Sequence, residues 1–296
     1  MADHLAEIKA ITDNKDAPTF ANTIDALEMS GKMLGDVGRV FGSLTASNTN
    51  DRLQQIQREM APVLAKHSSA INLDAALFAR VDALYAKRDS LKLSAEQKRV
   101  LERYHLDFVR AGAKLEGKDR ERMAAVMQRL AVLSTQFSQN VLADEKDYKL
   151  ILTSKEELAG LPDFVVAAAS QAAKDRGDDG KYVITLSRSS IEPFLTFSAN
   201  RPLREQAWKA WIARGDNGDA QDNNAIIKEI VQLRIERANL LGYKTFAEYK
   251  LADTMAKTPQ AVSDLLMQVW EPAKVRAAEE KDDLAKMAAS EGQNIT

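Results

Sequence analysis

Three histidines, His4, His67 and His105, are the side chains of this 296-residue chain best suited to acid-base or metal chemistry. A helix-borne zinc site sets two His one turn apart so that both imidazoles face one Zn²⁺, with a Glu between them to activate water. Here His4 opens HLAEI, His67 opens HSSAI and His105 opens HLDFV, so H-E-x-x-H does not occur. There is no Cys to substitute as a ligand. A zinc site would therefore need these distant His to converge with carboxylates, and packing or surface roles are the favoured reading.

The other constellations are weaker. Asp216, Asp219 and Asp222 in RGDNGDAQDNN are spaced by three, whereas an EF-hand needs oxygens at alternate positions and a distal Glu. A loop capping the next helix is preferred there. Arg201, Arg204, Arg214, Arg234 and Arg237 have the planar geometry to meet a peptide carboxylate. Ion pairing with Glu205, Glu229 or Glu236 on neighbouring turns is the simpler expectation. Trp208, Trp211 and Trp270 are read as packing residues. Neither a Gly-rich phosphate loop after a strand nor G-x-S-x-G is present.

Composition narrows the classes further. Hydrophobic residues are 45% and charged residues 28%, with Gly and Pro sparse, the profile of a folded, helix-rich chain large enough to bury a sizeable core. A net charge of -2 with acids and bases interspersed leaves no footprint for nucleic acid. No apolar run approaches the ~20 residues of a membrane span. The start MADHLAEIKAITDNKD lacks the basic, then apolar pattern of a signal peptide. With zero Cys, a cytoplasmic location is expected, no nucleic acid or membrane partner is expected, and a longer natural N-terminus would reopen the periplasm.

The elements that must position these residues are mostly helical. Apolar residues at three- and four-residue steps predict a helix over 19–46, bent near Gly31, and another from Leu53 that Pro62 should kink or end near Met60. A short stripe follows at Leu73 to Leu84, and Ser94-x-x-Gln97 predicts a capped helix to about Leu115. One long helix is expected over 118–143. The period then changes to two at Tyr148, Leu150, Leu152 and again at Tyr182, Ile184, Leu186, giving two short strands that pair with each other or with strands elsewhere. A helix over 164–174 lies between them. After Ile191, helix returns, with caps at Asn200, at Asn223 or Asn224, at Thr245 and at Thr258.

The expected fold is thus mainly α, a multi-helix domain with a small two-strand β insertion near 147–187. Residue-level chemistry stops at that point. Four stretches, PTFANTIDALEMSG at 18–31, LSAEQKRVLERYHLDFVRAGAKL at 93–115, LAVLSTQFSQNVLADE at 130–145 and residues 200–259, resemble in the same order those of M3 zinc metallopeptidases of the peptidyl-dipeptidase Dcp type. This resemblance implies one lobe of a two-lobed, neurolysin-like metallopeptidase, with an N-terminal helical domain over 1–195 and the start of the peptidase region over 196–296. In such enzymes one Zn²⁺ held by H-E-x-x-H and a later Glu hydrolyses short peptides, removing dipeptides from free C-termini. Those residues would lie after Thr296. No catalytic or metal residue is therefore carried onto this chain, its substrate-binding residues stay unassigned, and no zinc is expected on it. It is expected to wall the substrate channel, to be inactive alone, to pair with a missing C-terminal lobe, and to self-associate through exposed apolar surface. The alternative is a non-catalytic helical module binding a peptide or protein.

Overall fold

The computed structural model describes residues 1–293, so the last residues of the polar ending, Asn294 to Thr296, lie outside the described residues. In chain order the helices are α1 (Ala2–Asp13), a π-helical turn (Phe20–Asp25), α2 (Ala26–Met29), α3 (Lys32–Ser47), α4 (Asp51–Asn72), α5 (Ala75–Ala86), α6 (Ala95–Ala111) and α7 (Gly117–Asp147). Strand β1 (Leu150–Leu152), α8 (Asp163–Asp175) and strand β2 (Tyr182–Ile184) follow, then α9 (Arg188–Phe197), α10 (Arg201–Ile212), α11 (Asn224–Leu240), α12 (Phe246–Leu251) and α13 (Pro259–Ser290). The fold is mainly α with one two-stranded antiparallel sheet, in which Leu150 opposes Ile184 and Leu152 opposes Tyr182.

By contacts the chain divides into two compact units at residues 233 and 234. This boundary lies inside α11, away from the 195/196 division that the resemblance implies. The latter concerns kinship of sequence and is kept as a proposal.

The first unit has three apolar centres. In the first, Ile8 and Ile11 of α1, Ile24 of the π-helical turn, Leu77, Val81 and Leu84 of α5, and Leu101 and Phe108 of α6 are buried together. In the second, Leu150, Leu152 and Ile184 of the sheet pack with Ala169 of α8, Ile191 and Phe194 of α9 and Ala207 of α10. That packing is what sustains a sheet of two three-residue strands, which alone would be marginal. The third joins Val126 and Leu133 of α7 to Ile226, Ile230 and Leu233 of α11.

Caps set the boundaries. Ser94 Oγ accepts from Gln97 N–H at 3.1 Å while Gln97 Oε1 accepts from Ser94 N–H at 3.0 Å, the reciprocal box that starts α6. Thr19 and Asn22 make the same exchange ahead of the π-helical turn. Asn200 accepts from Leu203 N–H at 3.2 Å, with a Pro in the first turn of α10.

Two sequence expectations are corrected. The helix expected over 19–46 is broken rather than bent, because Gly31 adopts φ 68°, a left-handed conformation that ends α2 and starts α3. Pro62 does not end α4 near Met60, the second of the two outcomes expected there, and the helix runs on to Asn72. A proline inside a helix costs about 3 kcal/mol in isolation. Here α4 is laid along α7, where Gln139 Nε2 donates to Gln54 O at 2.9 Å and Lys146 pairs with Asp51 at 2.8 Å, and this packing outweighs the local preference.

The second unit, from Arg234, holds the end of α11, α12 and α13. Gly242, at φ 82°, stops α11, and Tyr243 N–H returns to Ala238 O at 2.9 Å. Tyr249 is buried, with the rings of Tyr243 and Phe246 against it at 5.5 and 5.8 Å. Thr258 Oγ1 caps α13, a helix with no buried residue.

Candidate functional site

A cavity of about 490 Å³ lies where α1, the Gly31 corner, α4 and α6 meet. Ile8, Leu27, Leu64 and Phe108 supply apolar walls, and His4, Ser30, His67, Tyr104 and Asp107 supply polar ones. The fold thus brings together two of the three histidines that the sequence leaves 63 positions apart.

Ser30 Oγ lies 2.8 Å from Leu27 O and 3.3 Å from His4 Nε2. His4 Nδ1 and His67 Nε2 share a hydrogen bond at 3.0 Å, whose direction is set by the ring tautomers. Burial, then the nearby His4 and the N-terminal ammonium, pushes the His67 pKa down. Burial and a hydrogen bond to Glu28 push the Tyr104 phenol up.

The contact ties up one ring nitrogen of each histidine. Among the described residues, no group of three or more His, Cys, Asp or Glu side chains is placed to hold a metal ion. The described residues do not fit a zinc site. The pair works instead as a clamp, with Glu7 Oε2 accepting from Gly31 N–H at 2.6 Å beside it. A Cβ at Gly31 would meet the His4 ring at 2.6 Å, so the corner and the ring are fitted to each other. His105 lies elsewhere, hydrogen-bonded to Asp82 at 2.8 Å and stacked on Tyr85 at 3.7 Å between ring centroids.

The other sequence candidates separate. Asp222 accepts backbone N–H groups of Asn224 and Gly218 at 2.8 and 3.0 Å, which hold its carboxyl below the usual range. Asp216 accepts from the Asn224 amide at 2.6 Å and Asp219 from Gln221 N–H at 2.9 Å, so the acidic loop is spent on its own turns and on the entry to α11. Asn223 is buried, its amide donating to Phe137 O at 3.1 Å.

Arg201 and Arg204 share an open pocket with Trp208 and Glu205. Arg204 donates to Ser198 O, and Arg214 pairs with Glu145 and lies 5.4 Å from the centroid of the Trp211 ring. In the second unit, Arg234 and Arg237 lie over the rings of Phe246 and Tyr249. Trp208 and Trp270 are about half exposed, against the packing role expected of them, while Trp211 packs on the sheet-containing centre.

Sequence reasoning passed over two features. Arg80, nearly buried, donates to Asn14 O, Asp16 O, Asn22 Oδ1 and Thr23 Oγ1 at 2.9 to 3.3 Å. The α4–α7 seam holds a pocket of about 350 Å³ lined by Gln54, Arg58, Gln136, Gln139, Asn140 and Gln221. Gln139 is engaged with Arg58, Gln54 O and Gln57, which serves the packing of α4 on α7, and Asn140 donates to Asn223. The only sequence signal for the seam was an excess of Gln on the polar faces of two long helices.

Comparison with known proteins supplies what local chemistry does not. Residues 194–296 match the sequence profile of peptidase family M3. The chain is 39% identical over 284 residues to dipeptidyl carboxypeptidase of Escherichia coli strain K12, covering 96% of this chain and 41% of that protein. Against the Salmonella typhimurium dipeptidyl carboxypeptidase it is 38% identical over 290 residues, covering 98% and 43%. Oligopeptidase A of Haemophilus influenzae is 32% identical over 270 residues, covering 90% and 40%. The chain spans about two fifths of the length of these relatives. The chain is similar to these peptidases along nearly its whole length, and residues 194–296 carry the match to the M3 profile.

Proposed function

We propose that this chain is the N-terminal part of a zinc-dependent peptidyl-dipeptidase that hydrolyses short peptides, that it walls the substrate channel, and that it is inactive alone. The observation that carries the reading is the similarity to dipeptidyl carboxypeptidases over 96% of this chain but 41% of the relative. The proposed division into a helical domain over 1–195 and the start of a peptidase region over 196–296 is supported by the family match from residue 194. Catalytic zinc and its ligands belong, in this reading, to polypeptide that the chain does not contain. Zero Cys suits a reducing compartment, and the cytoplasm is the location proposed. Among the described residues no helix is long and apolar enough to cross a membrane.

The test is cleavage of a short peptide with a free C-terminus by the purified chain, with and without added zinc. No turnover is expected. Turnover that a chelator abolishes would show that the chain holds its own metal site and would end the proposal.

A further inference from the structure

Helix α3 is the one helix of the N-terminal half that buries nothing. Leu34 and Phe41 on one flank are half-buried, but Met33, Val37, Val40 and Leu44 are 74, 58, 63 and 48% exposed. These four recur at steps of four, three and four, the spacing that sets knobs of one helix into holes of another. No neighbouring element of the described residues packs broadly along α3. An apolar seam of this regularity is not explained by singly scattered surface hydrophobics.

Its size decides between occupants. A helix of 16 residues is about 24 Å long, and one face offers on the order of 300 Å², well under the ~800 Å² per partner of a standard stable interface. A second copy binding there alone would be held weakly. A segment of the same molecule meets the stripe at an effective concentration that tethering raises to about the millimolar range, so a small seam is enough. Helix α3 falls within the stretch similar to the relatives, and more than half of each relative's length has no counterpart in this chain.

We propose that the Met33, Val37, Val40 and Leu44 stripe is the seat of an apolar-faced helix from the polypeptide by which the relatives exceed this chain. The proposal rests on reading the chain as part of a longer M3 peptidase, and it adds which surface the remainder covers. Met33 is itself the probe, since an exposed thioether oxidises readily and a buried one does not.

The experiment compares peroxide oxidation of Met33 in three samples. They are the chain alone, the chain continued by the remainder of the Escherichia coli dipeptidyl carboxypeptidase, and the chain co-expressed with that remainder as a separate polypeptide. Met255, fully exposed, and Met29, exposed beside the stripe, serve as internal references. Met33 should oxidise as fast as Met255 in the chain alone and roughly tenfold more slowly relative to Met29 in either joined form. Val37→Asp with Val40→Asp should restore the fast rate. Met33 remaining fast in both joined forms overturns the proposal, as does slowing in the chain alone with rising concentration, which would assign the seat to a second copy. Cleavage of peptide by a joined form in which Met33 stays fast would spare the peptidase reading and sink this one. Protection without cleavage would do the reverse.

Discussion

His67 Nε2 and His4 Nδ1 lie 3.0 Å apart and share a hydrogen bond that joins α4 to α1. The His67 pKa is depressed by burial first and by His4 second, and a base depressed in the folded state favours the neutral form. Its contribution is therefore present above its unfolded pKa of about 6.5 and is lost as pH falls through that value toward the lower folded pKa. Thermal melting of the wild type and of His67→Ala should converge between about pH 7.5 and pH 5.5. Parallel melting curves across that window would show that the pair is not linked to folding.

Gly31→Ala places a methyl group where the backbone has φ 68° and where the His4 ring stands 2.6 Å away. A left-handed non-glycine residue costs roughly 1–2 kcal/mol before any clash is counted. Urea unfolding should lose about 1–3 kcal/mol, and Gly31→Ala combined with His4→Ala should recover part of it. A fully additive double variant would mean that ring and corner are not fitted to each other.

Arg80 spreads its guanidinium over two carbonyls and two side-chain oxygens. A lysine has the charge but lacks the planar fork, so Arg80→Lys should cost about 2–4 kcal/mol, close to the cost of Arg80→Met. Retention of wild-type stability by Arg80→Lys would reduce the network to a matter of charge.

Arg129 and Glu229 form a two-toothed pair at 2.6 and 2.8 Å between α7 and α11, yet both side chains are well exposed. A double-mutant cycle there should give no more than about 1 kcal/mol. Leu133→Ala in the buried seam beneath should cost about 2–5 kcal/mol. The seam is held by its apolar layer, and the reverse order of these losses would refute that.

Helix positions were legible because capping and periodicity are local. Ser94 and Gln97, Thr245 and Glu248, and Asn200 with Leu203 each sit within one turn, and the structure has those bonds. The sheet was legible as two changes of period, although its pairing needed the packing of α8 and α9. What escaped was set by partners distant in sequence. His4 with His67, Arg80 with Asn22 and Gln139 with Gln54 have no signature short of the fold. A helix end at Pro62 failed for the same reason, since the local cost of the proline is outweighed along α7. The sequence offered no motif from which an active site could be read.

The Arg80 network also has an order in time. Its acceptors lie 57 to 66 residues earlier in the chain, so none of these bonds can close until Arg80 has been synthesised. During translation residues 14–23 must therefore wait for α5 to leave the ribosome, and this stretch, made before α5, is fixed in place only after it.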